Sequence, residues 1–97
     1  MSELLMDTDR ARRTASQISG GCHEIAQALR GLTNASHALR ESWHGPDARI
    51  FFGDLERILK QLTHCAEHGV GLGTQLRREI EAWERTASAL ADAAHVD

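Results

Sequence analysis

The side chains best suited to chemistry cluster around His64, Cys65 and His68. The two histidines are four residues apart, so a helix would carry them on one face with a thiol between them. Imidazole and thiolate are the usual zinc ligands, and His23 could approach from the first helix. A closed zinc site needs four ligands, however, and two neighbours on one helix supply only half of them. No glutamate follows His64, so the His-Glu-x-x-His arrangement of a metalloprotease is absent. Solvated surface histidines are the simpler reading. Serine, histidine and acid side chains are plentiful, but none falls into a nucleophile–base spacing. With no strand pattern, no glycine-rich loop can sit between a strand and a helix to cradle phosphate. The expectation is a protein that is not an enzyme, with no metal site and no cofactor.

The elements that would position these groups are helices. The chain has 97 residues, 41% of them hydrophobic and only 4% aromatic, so a single domain over 1–97 would build its core from Leu, Ile and Ala. The formal charge is −3. Lys60 is the one lysine, and the arginines are interleaved with acids as on a solvated helix surface. No clustered basic face points to nucleic acid. No apolar run approaches the ~20 residues that span a bilayer. Glu3 and Asp7 stand where a signal peptide needs basic residues.

Periodicity gives the architecture. Apolar or small residues recur at alternating steps of four and three through Ala11, Ala15, Ile18, Cys22, Ile25, Leu29, Leu32, Ser36, Leu39 and Trp43. The same alternation runs through Ala48, Phe52, Leu55, Leu59, Leu62, Ala66, Gly69, Gly73, Leu76, Ile80 and Trp83. Each is a heptad seam. Between them Gly45 supplies the backbone freedom of a reversal, Pro46 suits the first turn of a helix, and Asp47 favours that helix's N-terminus. Asp7 or Thr8 is the candidate cap of the first helix. The reading is all-α: helix 1 over about 8–41, a turn at 42–46, helix 2 over about 47–91, and a flexible tail at 92–97.

A two-helix hairpin has no closed core, and each helix carries a second row beside its seam. On helix 2 it is large: Phe51, Ile58, Cys65 and Leu72. On helix 1 it is small: Thr14, Gly21, Ala28, Ala35 and Ser42. A large-residue row needs covering, and monomers rarely leave wide apolar patches bare. The expectation is a dimer forming a four-helix bundle, with Phe51, Ile58, Cys65, Leu72, Gly21, Ala28 and Ala35 as interface candidates.

Hairpin pairing of positions summing to roughly 88–91 sets Cys22 opposite residues near 66–69, close to Cys65. A disulfide there requires unusually close helices; two reduced thiols are the alternative. The same pairing sets Gly20-Gly21 opposite Gly69, Gly71 and Gly73. Three glycines in five residues weaken a helix by roughly 1 kcal/mol each. Either the helices approach closely there or helix 2 kinks or breaks, and a kink near 69–73 is the expectation.

Trp43-His44-Gly45-Pro46-Asp47-Ala48, followed by Phe51 and Phe52 and flanked by two heptad helices, resembles the central motif of the WXG (ESAT-like) family, and the resemblance covers the whole chain. It implies an antiparallel homodimer or a heterodimer with a paralogous small helical protein. It implies export without a cleaved signal peptide through type VII secretion, from a Gram-positive or actinobacterial cytoplasm, engaged by a membrane-bound ATPase of the FtsK/SpoIIIE type. Members serve as secreted effectors or as targeting partners of larger toxins. One family element is missing: a Tyr-x-x-x-Asp/Glu signal near the end of helix 2. The chain has no tyrosine, and four residues after Trp83 stands Ala87. The signal would then come from a partner, from Trp83 in a variant form, or from the tail at 92–97, and a partner is the favoured reading.

Trp43, Gly45 and Trp83 are the candidate recognition residues. In an antiparallel dimer, Trp43 of one chain would lie beside Trp83 and the tail of the other; Trp43 as a simple hairpin plug is the alternative. Two other functions fit the same residues: a cytoplasmic adaptor holding a partner helix, and a His/Cys metal-binding module.

Overall fold

The computed structural model describes residues 6–94 as two helices, α1 (Thr8–Arg40) and α2 (Pro46–Ala94). At 1.5 Å per residue, the 33 residues of α1 span ~50 Å and the 49 of α2 ~73 Å. The molecule is a rod, with extents of 80 × 18 × 16 Å and a radius of gyration of 22.1 Å. A globule of about 100 residues would have ~13 Å. So many side chains expected in a core lie on a surface instead.

Local chemistry sets the ends. Asp7 caps α1, its side chain accepting from the Arg10 N–H at 3.1 Å. At the other end the Leu39 carbonyl accepts from the N–H groups of Ser42 and Trp43, both at 3.0 Å, closing the last turn. Gly45 has φ +117°, a conformation that costs any residue with a Cβ. Its carbonyl accepts the first α2 hydrogen bond, from Arg49, while Pro46 occupies the first helical position. The turn thus falls at 41–45, one residue earlier than the sequence suggested. α2 continues through Ala94, so residues 92–94 are helix rather than tail; 95–97 lie outside the described residues.

The centreline of the hairpin is strictly heptad. Phe52, Leu59, Ala66, Gly73 and Ile80 are buried at steps of seven on α2. They meet Ala15, Ser19 and Leu29 of α1, with Cys22, Ala26 and Ser36 half-buried between. Leu29, Leu59 and Ala66, with Ala26 and Leu55, form the core cluster. Half of the helix 1 seam read from the sequence is therefore right, and half is displaced. Ala15, Cys22, Leu29 and Ser36 face α2, but Ile25, Leu32 and Leu39 are exposed, as is Leu62 on α2. The members that alternate with the centreline are Ser19 and Ala26, one residue further along.

Small residues win that place because the helices come very close. A Cβ built on Gly73 would lie 2.1 Å from Ser19 Oγ and 3.0 Å from the Ala15 carbonyl oxygen. One on Gly69 would lie 2.2 Å from Cys22 Sγ. At Gly69–Gly73 the helices approach closely, the alternative to the expected kink, and α2 runs through as one unbroken helix. Cys22 packs on Gly69, not Cys65, and both thiols are free. Ion pairs Arg12–Glu84 and Arg40–Glu56 lie along the seam's edges. Both are exposed and contribute little beyond register.

Candidate functional site

The apolar rows all emerge on one side of the hairpin. On α1, Ile18, Ile25, Leu32 and Leu39 stand three residues after the centreline positions 15, 22, 29 and 36. On α2, Leu55, Leu62, Leu76 and Trp83 stand three after 52, 59, 73 and 80. In two right-handed helices running antiparallel, equal offsets point to the same side of the plane containing both axes. The outer rows obey the same rule, one residue before the centreline: Gly21, Ala28 and Ala35 on α1, Phe51, Ile58, Cys65 and Leu72 on α2.

All seven of those outer-row interface candidates are exposed. So are large residues of the inner rows: Ile25 is 51% exposed and Leu32 53%. Ile58 and Leu72 are 51% and 46% exposed. The face is long and continuous, with a low flank of small side chains over α1 and a high flank over α2.

The opposite side is built differently. There, positions four after the centreline are Ala26, Thr33 and Arg40 on α1 and Glu56, Thr63 and Val70 on α2. Two cavities of about 430 and 310 Å³ lie end to end along it, sharing Thr33, Thr63 and Glu67. Both threonine hydroxyls donate back to their own helix, to Leu29 O at 2.9 Å and Leu59 O at 2.8 Å. This leaves a shallow polar groove lined by ionisable side chains.

The turn carries an aromatic cluster. The Trp43 ring lies 5.3 Å from Phe51 and 5.6 Å from Phe52, and the two phenylalanines sit edge-to-face at 5.4 Å. Such tilted pairs add to simple burial. Phe52 is buried on the seam, with the Arg40 guanidinium 5.0 Å from its ring centroid. Trp43 thus braces the reversal and remains 37% exposed. Trp83 is half-buried far along α2, ~55 Å from the turn at 1.5 Å per residue. The two tryptophans of one chain cannot form one surface.

His64 and His68 are both exposed, and among the described residues no group of three or more His, Cys, Asp or Glu is placed to hold a metal. Nor is any described helix long and apolar enough to cross a membrane. The sequence reading missed one pattern: His23, Arg30 and His37 recur by sevens on α1, one residue after the centreline. The signal is the same heptad period, carried by polar rather than apolar side chains. No family model, curated protein or solved structure matches the chain.

Proposed function

We propose that this chain is a WXG-type helical hairpin that works as half of a four-helix bundle in type VII secretion. The observation that carries this reading is the exposed apolar face running the length of both helices on one side. A rod 16–18 Å across has no interior in which to hide it. A second hairpin laid on that face would bring Ile25, Leu32, Leu62 and Leu76 into one interior, where each large aliphatic side chain is worth roughly 1.5–3 kcal/mol when fully buried. The partner is a second copy or a paralogous small helical protein, lying antiparallel.

The antiparallel arrangement would set Trp43 of one chain beside Trp83 of the other, uniting groups that one hairpin holds far apart. The composite end would be the surface a secretion ATPase of the FtsK/SpoIIIE type engages, and a larger toxin or effector is the cargo served. The absence of tyrosine favours a role as targeting partner, with the export signal on the companion chain. The cytoplasmic adaptor that holds a partner helix is the second reading, and the same open face supports it.

The solution mass of the isolated chain tests the bundle: a homodimer is twice 10.7 kDa, and a monomer that dimerises only with a co-expressed neighbour identifies a heterodimer. A chain that stays monomeric with every neighbouring small helical protein sinks the bundle. Culture supernatant separates secretion from adaptor: the protein should appear there and vanish on deletion of the secretion ATPase. Trp43→Ala should leave dimer mass intact and lower export; unchanged export would reduce Trp43 to a brace for the turn.

A further inference from the structure

Resting on the bundle proposed above, we infer that its other half is a second copy of this chain, stacked antiparallel with the twofold axis crossing α2 near Cys65, so that the two Cys65 side chains lie side by side. Charge selects a copy. A helical partner of different sequence is recognised through charged or polar positions that pair with it and repel copies. Neither apolar row of either helix carries a charged side chain between Ala11 and Leu39 or between Phe51 and Leu76. The carboxylates of Glu24 and Asp54 stand only on the outer rims. Area selects a whole hairpin. The α2 stretch from Phe51 to Leu76 is ~38 Å long at 1.5 Å per residue, and the rod is 18 Å across. The face therefore offers ~700 Å² in projection, close to the ~800 Å² that each partner gives to a stable interface. One added helix, ~10 Å wide, covers little more than half of it.

An interface between identical chains must map onto itself under a twofold rotation. In antiparallel stacking the axis lies across the rod, setting α1 on α1 and α2 on α2, each running against its copy. The apolar stretches of the two helices then need a common midpoint, and they have one. On α2 the stretch from Phe51 to Leu76 is centred between Thr63 and His64. On α1 the row from Ala11 to Leu39 is centred on Ile25. Cys22 lies against Gly69, and Ala15 and Ser19 against Gly73, so facing positions sum to roughly 90 and Ile25 is level with Cys65. Rotation about that level sets Phe51 near the partner's Leu76, Leu55 near the partner's Leu72, and Ile25 near the partner's Ile25. It also brings Trp83 to the partner's turn, the juxtaposition with Trp43 that the bundle requires. Cys65 is exposed and points from α2 toward its copy, and the two thiols stand within ~5 Å of each other along the rod. Glu24 is level with the axis as well, so its two copies form a like-charged pair on the rim.

The test uses the purified full chain, whose solution mass should be twice 10.7 kDa. A bismaleimide spanning about the 8–10 Å between packed helices should join most of the protein into a covalent dimer. Cys65→Ser should abolish that product, and Cys22→Ala should keep it. In the Cys65→Ser background, Asp54→Cys and Gln75→Cys chains should cross-link only when mixed. The twofold sets position 54 against position 75 and holds the two copies of either ~30 Å apart. Leu62→Glu places two acids at the axis and should weaken the dimer roughly a hundredfold, with helix content unchanged by circular dichroism. Glu24→Gln should tighten it about twofold to fivefold. A chain that is monomeric alone and pairs only with another small helical protein overturns the second copy and leaves the bundle standing. A homodimer in which Cys65 is not joined, or in which the mixed chains do not cross-link, overturns the antiparallel register. A chain that pairs with nothing overturns both this inference and the bundle.

Discussion

The two ends of the hairpin seam solve the same packing problem in opposite ways. Near the open end, Gly69 and Gly73 of α2 offer bare backbone to Cys22 and Ser19 of α1, and the helices nearly touch. Near the turn, Phe52 fills the same heptad position with a ring, propped by Trp43, Phe51 and Arg40. One end tolerates no added atom; the other depends on every atom it has. A single period of seven can therefore hold helices together by absence of side chain as well as by presence, and mutations should read out the two ends with opposite logic.

The largest expected effect is at the aromatic end. Phe52→Ala removes a buried ring and should destabilise the protein by ~3–5 kcal/mol, read from urea melts followed by circular dichroism. A smaller loss than that caused by adding a methyl at Gly73 would invert the comparison. At the close-packed end, Gly73→Ala gains ~1 kcal/mol of helix propensity but meets Ser19 Oγ and a main-chain carbonyl. A net destabilisation of ~1–3 kcal/mol should result. Ser19 Oγ is buried and without a hydrogen-bond partner, so Ser19→Ala should itself be neutral or stabilising and should recover part of the Gly73→Ala loss. Strict additivity in that double variant would mean the two side chains are not in contact. The smallest effect separates propensity from packing. A Cβ at Gly71 meets nothing within 4 Å, so Gly71→Ala should stabilise by ~0.5–1 kcal/mol. Destabilisation there would show that something covers that face in solution.

Much of this architecture was legible in the residues. The steps of four and three specified two helices, and Gly45-Pro46-Asp47 specified where one ends and the other begins. The glycines at 69–73 announced a close approach or a kink, with a kink expected; the close approach is what the structure has, in an unbroken helix. The seam's rotation on α1 was not legible. Rows at 18, 25, 32 and rows at 19, 26, 33 lie on either side of one centreline, only one residue apart. Ile25 and Leu32 are more hydrophobic than Ala26 and Thr33, so hydrophobicity alone selects the wrong flank for the hairpin's interior. The interface candidates were legible as rows by sevens, but whether the rows of two helices share a side depends on both seams together.

Sequence by itself determined what is local: helix type, the caps, the reversal, and the heptad period, because each follows from dihedral preference and side-chain spacing within a few residues. Only the tertiary structure decided which row meets which. Backbone contact at Gly69 and Gly73 brings the helices near enough that small residues face inward on α1. The larger Ile25, Leu32 and Leu39 are turned to the open face, and the row of His23, Arg30 and His37 to the groove behind it.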